Sequence, residues 1–256
     1  MIPRTVGVLT HPDPDLSAPY FVEILAGLRR SLGAIRVNPP RGTPLTGLVR
    51  VAPEGKASLP AGWRRLPTVV VSGRSATAPS WDVDNVVSAR RLVGLLIRRG
   101  HRRIALINGK LDTANGRDRR RGFRQALRKA GIRPIPALEV EGRFDRERGR
   151  KAMKWLLNLK RPPTAVFAAN DAMALGALEE LRYRRCRGVA VAGFDDVPEA
   201  RRAGLTTVRP PLRRLAVQAG RALRRWVQRD ERPAARAIVV PARIVIRTSS
   251  MKRVVI

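Results

Sequence analysis

The sequence predicts an α/β fold built on parallel sheets, and three observations lead there. Short runs rich in Val, Ile, Leu and Ala alternate with segments of helical period along nearly the whole chain, the pattern of parallel strands joined by crossover helices. The strand runs lack polar alternation, as strands covered on both faces do. With 256 residues, 44% of them hydrophobic, there is chain enough for one large or two small domains with a packed core.

Taken in order, the first strand is read at 5–9. The stripe Phe21, Ile24, Leu25, Leu28, Leu32 follows at three- and four-residue spacing, with Asp15 and Ser17 as candidate caps and Pro19 at an early helical position. Strands at 34–38 and 47–52 are separated by a Pro/Gly-rich stretch at 39–47. A gap of about eight residues is too short for the usual helical crossover of about 10 to 12. A strand at 68–72 precedes the stripe Val86, Ala89, Leu92, Val93, Leu96, Ile97, which Gly100 closes. The strand at 104–108 is followed by Phe123, Ala126, Leu127 and Ala130, closed by Gly131. Strands at 138–141, 164–169 and 189–193 then alternate with the stripes Ala152, Trp155, Leu156, Leu159 and Ala174, Leu175, Leu178, Leu181. A last stripe, Leu212, Leu215, Ala216, Ala219, Leu223, Trp226, Val227, leads to a strand at 238–246.

Lys plus Arg number 52 and Asp plus Glu 20, a net charge of +32. A charge so far from neutral collects polyanions at low salt. The basic residues, 45 Arg and 7 Lys, are spread as solvated helix faces rather than banded, a ratio that a GC-rich coding bias also gives. Two Tyr and five Phe supply no stacking platform for single-stranded nucleic acid. One cysteine, Cys186, and two histidines, His11 and His101, exclude a disulfide framework and all but exclude a Cys/His zinc site. No metal or cofactor is expected, and a reduced, cytoplasmic setting fits. No apolar run nears the roughly 18 residues that span a bilayer. The start offers about five apolar positions where a signal peptide needs roughly 7 to 15. Neither membrane nor export is expected.

In open parallel sheets ligands bind beyond the carboxyl ends of the strands. The polar residues found there are Asp15, Ser72, the segment 108–113 with Arg117 at the front of the next helix, Asn170-Asp171 and Asp195-Asp196. A guanidinium, an amide and a carboxylate converging on one crevice provide donors and acceptors suited to a polyol. Arg117, Asn170 and Asp195 are those candidates, with Phe144 or Tyr20 able to cover the apolar face of a sugar ring. Plainer roles compete: Asp171 reads as an N-cap, Asp195-Asp196 as a turn, Phe144 as core and His101 as a structural hydrogen-bonding group. Phosphate-loop, dinucleotide, nucleophile-elbow and zinc-protease motifs are all absent, so catalysis is not expected.

The segments Val83-Asp84-Asn85, Arg99-Gly100-His101-Arg102-Arg103-Ile104, Arg117 to Phe123, Ala169-Asn170-Asp171-Ala172-Met173-Ala174-Leu175-Gly176, Gly193-Phe194-Asp195-Asp196 and Leu205-Thr206-Thr207-Val208 together resemble the effector-binding core of the LacI/GalR family of transcription regulators. The resemblance runs over about 6–248. It implies a type I periplasmic-binding-protein-like fold: two Rossmann-like subdomains, 5–100 with 209–237 and 101–208 with 238–250, a tail at 251–256, and a ligand clamped in the cleft between them. It implies ligand contacts at Arg117, Asn170 and Asp195, an aromatic ring at Phe144, signalling by closure, and a homodimer. The family's DNA-binding headpiece is not seen, because the chain begins at the core's first strand. The 39–47 stretch lacks a helix that serves dimerisation in relatives. Ser72, Pro210 and Ala18 stand where relatives often carry Asp, Gln and Asn. The expected ligand is a small, sugar-like effector. A solute receptor for transport and a nonspecific polyanion-binding protein are the alternatives.

Overall fold

The structure is a computed structural model, and residues 5–10, 16–53 and 59–251 are described. Its elements run β1 (Val6–Leu9), α1 (Pro19–Leu32), β2 (Ile35–Val37), β3 (Gly47–Val51), β4 (Thr68–Val71), β5 (Ser80–Val83), α2 (Asn85–Arg98), β6 (Ile104–Asn108), α3 (Ala114–Lys129), β7 (Glu139–Glu141) and α4 (Arg146–Leu157). They continue with β8 (Ala165–Ala168), α5 (Asp171–Tyr183), β9 (Ala190–Ala192), α6 (Pro198–Arg202), β10 (Thr207–Arg209), α7 (Leu212–Arg229), β11 (Ala237–Val240) and β12 (Arg243–Val245). Two compact units result, Met1–Val83 with Pro211–Val240 and Asp84–Pro210 with Pro241–Ile256.

The first unit holds a six-stranded sheet, β11-β5-β4-β3-β1-β2, parallel at every pairing. Val8, Leu48, Val49, Val69, Val70 and Val71 are fully buried, which is why these runs carry no polar alternation. Strands β2 and β3 flank β1 on either side, so the 38–46 connection passes from one side of β1 to the other without a helix. Thr43 shapes it by donating its N–H (3.2 Å) and its hydroxyl (2.7 Å) to the Pro40 carbonyl. Helices α1 and α7 pack closely because Gly27 and Gly220 present no β-carbon to the Arg213 carbonyl and the Ser31 hydroxyl. Pro19 opens α1, and the N-cap position is Ala18, which makes no side-chain bond; Asp15 lies outside the described residues.

Strand β5 escapes the apolar pattern because Asp82 interrupts it. That carboxylate is fully buried yet accepts from its neighbour Val83 N–H at 2.8 Å and lies 3.8 Å from the Arg74 guanidinium.

The second unit contains the four-stranded parallel sheet β7-β6-β8-β9, helices α2 to α6, and an antiparallel ribbon of β10 and β12. Glycine contacts bring the helices together: Gly122 of α3 meets the Val86 carbonyl of α2, and Gly149 and Gly176 let α4 and α5 approach backbone to backbone. The division differs from the expected boundary after residue 100. Helix α2 groups with the second unit, since its apolar face packs on α3. The run 238–246 is likewise two strands rather than one. Pro241, which has no N–H to give a ladder, separates β11, beside β5, from β12, beside β10. Gly100 and Gly131 follow α2 and α3 with φ of 87° and 66°, the left-handed stops their positions suggest.

Candidate functional site

Beyond the carboxyl end of β6 the chain turns through 109–113 into α3. Thr113 caps that helix, accepting from Gly116 N–H at 3.1 Å while donating to the Lys110 carbonyl at 2.7 Å. Positions 117 and 119 are then about 200° apart around the helix axis. Arg117 turns outward, exposed, and donates to the Leu111 carbonyl at 2.9 Å. Arg119 turns inward and is only 4% exposed.

Arg119 organises the site. Its Nε donates to Asn85 Oδ1 (2.9 Å), its Nη1 to the Ala169 carbonyl (2.5 Å) and its Nη2 to Asp195 Oδ1 (3.4 Å). The guanidinium carbon lies 3.6 Å from the centre of the Phe194 ring and 5.9 Å from that of Phe144, a cation held against two aromatic faces. Asn85 is itself fixed by donating to Asn115 at 3.2 Å. An arginine has five N–H donors, and these bonds use three, so two N–H groups of a nearly buried guanidinium have no partner among the described residues.

The other groups stand on strand ends. Asn170 is the N-cap of α5: its oxygen accepts from Met173 N–H at 3.0 Å and its NH2 donates to the Phe144 carbonyl at 3.1 Å. The capping expected of Asp171 therefore falls to its neighbour. Asp171 points inward, fully buried, and accepts from the Thr207 hydroxyl (2.6 Å) and the Val197 N–H (2.9 Å). Gly193 is required beside it, because a β-carbon there would meet that carboxylate. Burial and the neighbouring Asp195 hold the Asp171 carboxyl well above the usual range. Burial also pushes Asp195 up, to about 6, against the lowering pull of Arg119. Asp196 accepts from Arg247 at 2.7 Å and from Arg209, fixing the turn.

Phe144, Asp195 and Ser72 have φ of 65°, 114° and 56°, a left-handed backbone that non-glycine residues rarely adopt. Strain of this kind gathers at functional positions. The Phe144 ring occupies the space that a side chain at Gly109 would need.

The structure thus brings Phe144, Asn170 and Asp195 together around Arg119, and Arg117 does not join them. In the first unit Tyr20 and Ser72 meet each other, the tyrosine hydroxyl donating to Ser72 Oγ at 2.6 Å, with Tyr20 edge-on to Phe21 at 5.1 Å. Arg119, Asn85 and Phe194 were not singled out from sequence. Helical phase points to Arg119: it precedes the buried Gly122 and Phe123 by three and four residues and so shares their face. His101 serves as a structural group, its Nδ1 3.1 Å from the Thr164 hydroxyl.

Comparison with known proteins agrees with this architecture. Residues 93–250 match the family model of the periplasmic binding protein-like domain. The HTH-type transcriptional repressor PurR of Proteus mirabilis is 37% identical over 205 residues, covering 77% of this chain and 60% of that protein. The repressor of the same name from Erwinia tasmaniensis is 33% identical over 241 residues, 83% of this chain and 70% of that protein. The chain thus spans well under the full length of these relatives, which are named as transcriptional repressors. Among solved structures, a transcriptional regulator CelR–cellobiose complex superimposes with a TM-score of 0.86 at 28% identity, covering 97% of this chain and 86% of that one. A LacI-family regulatory protein from Chloroflexus aggregans gives 0.81 at 25% identity, covering 97% and 99%. Fold, site and relatives converge: the chain belongs to the LacI family of transcription regulators and forms the periplasmic-binding-protein-like ligand-binding domain of such a regulator.

Proposed function

We propose that this domain senses a small polyol, sugar-like in its vicinal hydroxyls, through Arg119, Asn170, Asp195 and Phe144. The observation that carries the reading is the pair of unpartnered N–H groups on the buried Arg119 guanidinium, set beside a carboxylate and an aromatic ring. One free N–H on each terminal nitrogen can donate to neighbouring hydroxyl oxygens, an ionised Asp195 accepts a hydroxyl proton, and Phe144 covers the apolar ring face. The cellobiose named with the CelR structure supports a carbohydrate. Tyr20, Ser72 and Asp15 remain candidates of the first unit, as residues that follow strands. The same resemblance supports closure on the ligand as the signal, a homodimer as the working form, and control of DNA binding in the cytoplasm as the output.

The test is a thermal-shift screen over pentoses, hexoses, disaccharides and purines. A ligand at about 100 times its dissociation constant adds about 2.7 kcal/mol. That raises Tm by about 5 to 11 °C for a domain of this size. The expected hit loses its shift in Asp195→Asn and Phe144→Ala. A hit indifferent to both variants, or no hit among the polyols, overturns the reading.

A further inference from the structure

The second unit carries another concavity, separate from the Arg119 site. It is a groove of about 600 Å³, a size typical of small-molecule sites. Val189, just ahead of β9, lies on it, whereas Asp195 follows the other end of that strand. Leu178, Leu181 and Val189 give it an apolar floor, and Arg182, Arg185 and Arg187 give it a cationic rim.

Among the described residues the rim charges have no counterions. The nearest acids along α5 are taken elsewhere: Glu179 pairs with Arg146, and Glu180 with Arg150 and Arg184. Among the described residues the side chains of Arg182, Arg185 and Arg187 make no hydrogen bond or ion pair. A helix C-terminus attracts cations, which accounts for Arg182 in the last turn of α5. It does not account for Arg185 and Arg187, which lie past the helix end, Arg185 with φ of 53°. Three guanidiniums on one rim repel each other, and a bound carboxylate or similar anion relieves that repulsion while taking charge-assisted hydrogen bonds.

We propose that this groove binds a small amphipathic anion: a carboxylate or sulfonate held by Arg182, Arg185 and Arg187, with a hydrocarbon or aryl body on Leu178, Leu181 and Val189. The floor selects for the apolar body, since a bare anion leaves it uncovered. Neither Asp195 nor Asp196 lines the groove; the covalent neighbour of its residue Thr248, Arg247, is what meets Asp196, at 2.7 Å.

Cys186, the single cysteine of the chain, is exposed and lines the groove, so it reports occupancy directly. The experiment measures its alkylation by the neutral reagent N-ethylmaleimide with octanoate or inorganic phosphate present. If occupancy shields the thiol, octanoate at about ten times its dissociation constant slows alkylation about tenfold. Phosphate has little effect. The double variant Arg185→Gln, Arg187→Gln removes the protection, and Asp195→Asn keeps it, which separates this groove from the sugar-like site. Both rim arginines are exposed, so the double variant keeps the fold. An alkylation rate unchanged by octanoate, protection that survives the double variant, or phosphate protecting equally well each overturns the proposal.

Discussion

At the scale of single residues, the inward and outward arginines of α3 separate structure from decoration. Removing Arg119 leaves Asp195 buried beside Phe194 without its cation, and breaking such a pair costs about 3 kcal/mol. Arg119→Ala should therefore lower Tm by about 6 to 12 °C. Arg117→Ala, which loses one exposed bond to a carbonyl, should shift it by less than about 2 °C, and calorimetry on the two variants compares them. The Asp195 carboxyl supplies a pH signature. With its native value near 6 and an unfolded value near 4, the native state holds a proton that the unfolded chain has released between those values. Stability should fall as pH rises through that window, and Asp195→Asn should reduce the slope in urea titrations at pH 4 to 7, leaving the part that belongs to the raised Asp171. A hydroxyl ligand donating to the carboxylate should bind more tightly above pH 6 than below it. Asn170 and Asp195 were legible in the sequence as polar residues following strands. The two-residue step from Arg117 to Arg119 was not, because among so many arginines only helical phase against Phe123 distinguishes them.

At the scale of elements, periodicity found what is long and apolar. Helices α1 to α5 and α7 follow their stripes, and strands such as β3, β4 and β8 follow their Val/Ala runs. What escaped is short or mixed: α6 with five residues, β10 with three, and β5 with a buried Asp82 inside it. The side of the division on which α2 falls was equally hidden, since it rests on which helix α2 touches rather than on its own sequence. Helix packing in the second unit is glycine-dependent. Gly176 sits where a β-carbon would strike the Arg146 carbonyl of α4, so Gly176→Val should destabilise by about 2 kcal/mol or more. Gly62 faces open space, and Gly62→Ala should stay within about 0.5 kcal/mol. Chemical denaturation of the two variants checks the contrast.

At the scale of the whole molecule, a charge of +32 predicts weak attraction to any polyanion. Fluorescence anisotropy with a random DNA duplex should show binding at low salt that disappears near 0.15 M, where the screening length is about 8 Å. The Asp195→Asn variant should behave identically, because this attraction belongs to the surface and not to the ligand site. The interlaced order of the chain has a further consequence. Strand β11 completes an edge of the first unit and β12 the ribbon of the second, and both arise after residue 236. Both wait for the same closing segment, so a chain cut before residue 237 leaves two incomplete units rather than one.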